Sequence, residues 1–377
     1  PGLSRPDRGT SGCRSGQQPR TGHPYHMYDA IQRQPQAMAE MLTKHAERVT
    51  EVAATIKGKR RLYLVGIGTS WHAALVGEYW FRRMAPSSLE VQAWHSFEFH
   101  SYPPKVGHDD AVLVISHRGT KTYSYLALEQ AKAAGAYTIS ITSNQPGERI
   151  QAADDVLNTV DPEVSAAFTI SYTSALMVLG MLASALTDGG SDRAAAKAGL
   201  AMVPDVAGRV LEGADSIREA ADRFQDRERF ICVAAGPNTA NAYEVALKIK
   251  ETSRANSEGF HVEQLLHGPF CEVDGHCLVT LVAPPGPGYH RALDVARASA
   301  AVEAPVWALV QEGDTQLCSE ATAAYHLPVV EELWSPLAYV LPLQLFTYYL
   351  SLARGTQPDL FQQDIPKQAA AKTHYDL

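Results

Sequence analysis

Positive charge is in short supply in this chain: 33 Lys and Arg stand against 41 Asp and Glu, a formal net charge of -8. That balance gives no general attraction to nucleic acid or to an anionic membrane, so any phosphate the chain binds must be held locally. Cysteine is scarce as well. Cys13, Cys232, Cys271, Cys277 and Cys318 lack metal-ligand spacing and have no partnering His cluster, which argues against zinc and reads as reduced, mostly buried thiols of a cytoplasmic protein. No cofactor is expected. Long apolar runs are missing too. Phe168–Leu186 is the longest nearly uncharged stretch, and Thr169, Ser171, Thr173, Ser174 and Ser184 interrupt it, as suits a helix buried against a sheet better than a membrane span. The first 22 residues are rich in Gly, Pro, Ser and Arg but lack the apolar core of a signal peptide. Pro1 is not an initiator and Met27 is the first methionine, so residues 1–26 are expected to be a disordered or upstream extension.

What the chain does have is a long-period repeat. Arg61–Ser70 (RLYLVGIGTS) has a counterpart in Arg229–Asn238 (RFICVAAGPN) about 168 residues later. Ala111–Ile115 pairs with Cys277–Val282, Thr138–Ile141 with Val306–Val310, and Asp155–Val160 with Ala324–Val330 at similar offsets. Four matched strand-like runs in one order predict a tandem α/β duplication. Short apolar strands alternating with helical patterns predict parallel sheets with helices on both faces, a flavodoxin-like three-layer sandwich in each half. The expected organisation is a helical segment over 27–58, a first domain over 59–190, a helical linker over 191–224, a second domain over 225–356 and a polar tail over 357–377.

Two turns of the first half are candidates for binding. Gly66–Ser70 lies between a strand and a helix over 71–84, where glycines admit a ligand to the backbone and hydroxyls can hold an anion; a plain capped turn is the competing reading. Ser116–Lys121 occupies the equivalent place after the next central strand, so two hydroxyl-bearing turns converge at the carboxyl edge of one sheet, as phosphate binding requires. The long apolar helix of this half is expected over 165–186.

The second half offers acid and base groups. Glu244, Lys248 and Glu251 recur at i, i+4 and i+7 on one face of a helix, either as a solvated Glu–Lys surface or as a site. Glu258–Pro269 then reads as a short helix ending in a His267-Gly-Pro turn. A carboxylate with a turn-borne imidazole supplies what is needed to open a sugar ring and move a proton between adjacent carbons.

Tyr243–Ser253 (YEVALKIKETS), followed by Glu263–Pro269 (EQLLHGP), resembles the signature of the sugar isomerase (SIS) domains in the isomerase half of glucosamine-fructose-6-phosphate aminotransferases. Gly68-Thr-Ser70 resembles that family's phosphate turn and Pro342–Thr356 its last helix, so the likeness runs in order from about 27 to 360. It implies two tandem SIS domains and an enzyme acting on a hexose 6-phosphate or amino-sugar 6-phosphate through an enediol or enolamine. It further implies Glu251 as the proton shuttle, Lys248 and Glu244 lining the site, and His267 as the ring-opening residue, reaching the neighbouring subunit's site in a homodimer. The substrate-binding set comprises Gly68, Thr69, Ser70, Ser116, His117, Arg118, Gly119, Thr120, Lys121, Ser165 and Glu244.

The chain departs from that pattern at three places. The second phosphate turn is commonly Ser-Gln-Ser-Gly-Glu-Thr, whereas here it is Ser-His-Arg-Gly-Thr-Lys, which either strengthens the hold on anionic groups or points to solvent. The family's Schiff-base lysine falls where the tail diverges, leaving Lys367 as the nearest candidate and Lys372 as the weaker. The glutaminase domain that precedes the SIS pair in the family has no room in this chain, so isomerisation, deamination or cleavage of a fructosamine 6-phosphate is expected. A non-catalytic sugar-phosphate sensor is the alternative, with no helix-turn-helix domain to make it a DNA-binding regulator.

Overall fold

The computed structural model of the chain describes residues 20–375. Apolar helical spacing over the leading segment builds three short helices, α1 (His26–Gln32), α2 (Gln34–Lys44) and α3 (Ala46–Lys57), which bury Met27, Ile31, Met38, Met41, Val49, Val52 and Ile56. The first sheet unit follows as β1 (Arg61–Gly66), α4 (Thr69–Met84), β2 (Glu90–His95), α5 (Ser96–Ser101), β3 (Asp110–Ile115), α6 (Thr122–Ala133), β4 (Tyr137–Thr142), β5 (Asp155–Asn158) and α7 (Ile170–Leu186). Three connecting helices, α8 (Gly190–Ala201), α9 (Val203–Glu212) and α10 (Ala214–Phe224), lead to the second unit. That unit runs β6 (Arg229–Ala234), α11 (Thr239–Ser253), β7 (Asn256–His261), α12 (Val262–Leu266), β8 (Cys277–Ala283), α13 (Tyr289–Ala301), β9 (Val306–Gln311), α14 (Gln316–Glu320), β10 (Ala323–Leu327) and α15 (Ser335–Ala353), and α16 (Pro366–Lys372) lies in the tail.

Both sheets have five parallel strands, ordered β2-β1-β3-β4-β5 and β7-β6-β8-β9-β10. The second therefore repeats the first strand for strand. Winding reverses between β1 and β3, and again between β6 and β8, and a crevice opens beyond the strand ends at such a reversal. In the first half the two loops that flank the crevice are 66–70 and 116–121, the two candidate turns.

The helices α7 and α15 are apolar nearly all round and buried, and a single apolar cluster runs from the leading helices through both halves. Trp80 and Trp334, both buried, pack at 5.3 Å across the junction; burying a side chain of this size contributes about 1.5–3 kcal/mol. Among the described residues no helix is long and apolar enough to cross a membrane.

Several expectations need correction. Residues 258–261, expected as part of a short helix, belong to the edge strand β7, and only Val262–Leu266 is helical. The helix expected from 165 begins at Ile170, because the buried Glu163 carboxylate accepts from the backbone nitrogens of Thr169 and Ser171 and fixes the start there. The stretch 1–26 is not all free. Residues 1–19 and Cys13 lie outside the described residues, but His23 and the Tyr25 backbone bond the Tyr348 hydroxyl, and the buried Asp359 accepts from the backbone nitrogens of His26 (2.9 Å) and Met27 (2.8 Å). Asp359 also shows that the polar tail is partly buried. Among the cysteines, Cys232 and Cys277 are buried and unbridged, whereas Cys271 is exposed.

Candidate active site

Gly66 lets the first turn close, since a Cβ there would lie 2.3 Å from the Ser70 carbonyl oxygen, and Gly68 adopts a φ of 58°. The turn delivers Thr69 and Ser70 to the start of α4. In the second turn Gly119 (φ 65°) leaves no space for a side chain, as a Cβ would meet Ile150 at 2.4 Å. Ser116 and His117 are buried there, Arg118 donates to the Glu163 carbonyl (2.9 Å) and lies over the Phe168 ring, and Thr120 is exposed. Ser165 is buried and accepts from the backbone of Ala167. Thr69, Ser70, His117, Phe168 and Ser171 line one crevice.

Into this corner the second half inserts α11. Lys248 Nζ lies 2.6 Å from Glu251 Oε2, 3.4 Å from Glu244 Oε1 and 3.0 Å from the Thr69 hydroxyl. Thr69 donates to Glu244 (3.1 Å), and His72, the fourth residue of α4, donates through Nδ1 to the other Glu244 oxygen (2.6 Å). One step further along the seam, the Tyr172 hydroxyl of α7 donates to Asn241 of α11 (3.0 Å). The helix-surface reading of the Glu–Lys stripe is therefore excluded: Glu244, Lys248 and Glu251 are all buried, at 0%, 1% and 9% exposure.

Burial in company gives these groups different proton affinities. Burial opposes the Lys248 ammonium, but Glu244 and Glu251 hold its pKa above the ordinary lysine range. Burial alone would raise Glu244, yet Lys248 and the hydrogen bonds from His72 and Thr69 keep it below the usual carboxylate range. Glu251 is pushed up by burial, against the opposing pull of Lys248. Two like groups with pKa values driven apart are the arrangement in which one carboxylate stays a fixed charge and the other exchanges protons.

The remaining candidates divide. Lys121, half-buried at the end of the second turn, is lowered by burial and by the charges of Arg118 and Lys372, while Glu251 raises it. Lys367 is exposed at the first turn of α16. Lys372, five residues on, is half-buried, its Nζ 4.3 Å over the Phe361 ring; burial lowers its pKa and Glu251 raises it. His267 stands apart, its side chain 73% exposed, with its ring nitrogen 2.7 Å from the Glu263 carbonyl of its own turn. His72 and Glu163 escaped sequence reasoning; the available signals were a histidine two positions past the first turn and an acidic residue before an apolar helix. Among the described residues no three His, Cys, Asp or Glu side chains converge as a metal site.

The sequence profile of the SIS domain matches residues 55–185. The chain is 29% identical over 346 residues to the isomerizing glutamine–fructose-6-phosphate aminotransferase of Thermococcus kodakarensis, covering 90% of this chain and 57% of that protein. With the enzyme of the same description from Methanothermobacter thermautotrophicus it shares 31% over 340 residues, covering 90% and 56%. The chain thus spans a little over half the length of these curated relatives. Its fold is similar to the C-terminal domain of glucosamine-fructose-6-phosphate aminotransferase from Francisella tularensis, with a TM-score of 0.82 over 90% of this chain and 99% of that one at 19% identity.

Proposed function

The chain is a tandem SIS-domain protein, and we propose that it is a sugar-phosphate enzyme that interconverts a ketose 6-phosphate with an aldose or 2-amino-sugar 6-phosphate. The observation that carries this reading is the Lys248 ammonium, buried and shared between Glu251, Glu244 and the Thr69 hydroxyl of the first crevice. The phosphate lies in the first crevice against Thr69, Ser70 and Ser116, with Arg118 and Lys121 supplying the positive charge that the chain as a whole lacks. Glu251 carries the proton between C1 and C2. Its raised pKa suits this task, because a base poised nearer to neutral pH both accepts and returns a proton readily. Negative charge gathers at O1 and O2 as the proton leaves, and Lys248 stabilises it in a site shielded from water.

Ring opening falls to His267 acting in the site of a second copy of the chain, as a homodimer; the 73% exposure of its side chain in its own chain supports this reading. The test is a phosphorus and proton NMR time course with glucosamine 6-phosphate, then with fructose 6-phosphate plus ammonia, for wild type and Glu251→Gln. Wild type is expected to turn over, and the variant to keep broadening the ligand lines while losing roughly 10²–10⁴-fold in rate. Full activity in Glu251→Gln would remove the assigned base, and line broadening without turnover in wild type would favour a sensor.

A further inference from the structure

Thr69 and His72 stand three residues apart on α4, and Glu244, Lys248 and Glu251 follow one another on a single face of α11, so the two helices meet along a polar ladder. Its contacts are unevenly shared. Glu244 Oε1 takes the Thr69 hydroxyl (3.1 Å) and Lys248 (3.4 Å), whereas Glu244 Oε2, among the described residues, is held by His72 alone (2.6 Å). The Lys248 ammonium stands nearer to Glu251, at 2.6 Å.

His72 is itself fixed. It is 6% exposed, its backbone nitrogen donates to the Gly68 carbonyl (3.1 Å), and its ring packs against Trp71 (5.6 Å) and Tyr243 (6.2 Å). A carboxylate only accepts, so Nδ1 donates in either charge state of the ring.

We propose that His72 is a positioning residue for the proton transfer: its Nδ1–H holds Glu244 as a fixed negative charge against Lys248, and so keeps Lys248 from being captured by Glu251. Without that bond, Glu244 Oε2 would be a buried anionic oxygen lacking a donor, a condition that protonation relieves. Lys248 would then have Glu251 as its one ionised partner. The charges that act on Glu251 are Lys248 and Glu244 on its own helix, His72 from α4, Lys121 from the second turn and Lys372 from α16. Of these only Glu244 opposes its ionisation, and that push outweighs the direct pull of His72. Loss of the Glu244 charge therefore drives Glu251 down, to a weaker base. The role rests on the reading of Glu251 as the proton carrier.

The test follows the Glu251 carboxyl by carbon-13 NMR, its signal identified by its absence in Glu251→Gln, alongside pH profiles of kcat and KM for fructose 6-phosphate plus ammonia. In His72→Phe, Glu251 should titrate at lower pH than in wild type, and kcat should fall roughly ten- to a hundredfold while KM stays within about threefold. His72→Asn, whose amide nitrogen sits where Nδ1 does, should recover most of both. Glu244→Gln should reproduce His72→Phe, and the two combined should be no worse than Glu244→Gln alone, because one residue acts through the other. Multiplied losses in the double variant, an unmoved Glu251 titration in His72→Phe, or a His72→Asn as impaired as His72→Phe would each overturn the role. Should His72→Phe fail to fold, Glu244→Gln must still lower the Glu251 titration and His72→Asn must leave it in place; any other result rejects the coupling. The carboxyl titration needs no substrate, so its expected shift in a protein that turns over neither sugar would sink the sugar-phosphate reading and leave the coupling standing.

Discussion

At Lys248, one buried ammonium is held by two carboxylates and a hydroxyl, and removing the lysine would leave two buried carboxylates without their counter-ion. His117 carries a different liability. In the folded chain it stays neutral down to about pH 3, whereas in the unfolded chain it takes up a proton near 6.5. Between those values the unfolded state binds more protons, so stability falls as the pH drops through the window, by about 1.4 kcal/mol per unit. Glu244, held below its ordinary value, acts in the same direction at lower pH: its contribution is complete above about 4.5 and is lost as the pH falls through the depressed folded value. Urea unfolding at pH 7 and pH 5 should show a loss of about 2 kcal/mol in wild type, and His117→Gln should flatten most of it; equal losses in both would acquit the histidine. Glu244, Lys248 and Glu251 were legible in the sequence because a helical period of charges survives any tertiary context. His72 and Glu163 were not. Their roles come from partners 172 and 46 positions away, and nothing local marks a histidine or glutamate as one end of such a contact.

Strands and helices show the same division between local and distant causes. The four recurring runs became β1, β3, β4 and β5 and their copies β6, β8, β9 and β10; β1, β3, β4 and their copies are central parallel strands, buried on both faces and hence apolar throughout, whereas β5 and β10 lie at the far edge of each sheet and were legible by their matching offset. The fifth copy, β7, escaped recognition. As an edge strand it pairs only with β6, its side chains alternate without an apolar run, and its Gly259 carries no β-signal at all. That glycine has a packing reason: a Cβ there would meet the Ala242 carbonyl oxygen and the Tyr243 backbone of α11 at 2.6–2.7 Å. Gly259→Ala should therefore push α11, and with it Glu251 and Lys248, away from α4. We expect a destabilisation of about 1–3 kcal/mol together with a lower kcat, measured by thermal unfolding and turnover. Gly275→Ala, whose new Cβ would find its nearest neighbour at 3.5 Å, should change stability by less than about 0.5 kcal/mol. Equal effects from the two would dissociate the packing from the chemistry.

For the whole molecule, duplication has ended in a division of labour. The first crevice keeps hydroxyls and an imidazole, whereas the second is bounded by Pro284–Gly288 and Ala235–Asn238 and lined by apolar side chains and Glu332. In the proposed function one half would supply the anion site and the other the proton shuttle, meeting at the seam between α4 and α11. If the exposed His267 completes the site of a second copy, co-expressing Glu251→Gln with His267→Ala should restore about a quarter of wild-type activity. Half the dimers would then be mixed, with one intact site of two. Activity no higher than that of either variant alone would place both residues in one subunit. The bond between Asp359 and the amide of Met27 joins residues 332 positions apart, and at ribosomal speeds of about 5–20 residues per second that gap is on the order of tens of seconds. Throughout that time α1 exists without its capping carboxylate. A nascent chain can thus possess every strand of both sheets while its first helix still waits for the carboxylate that caps it.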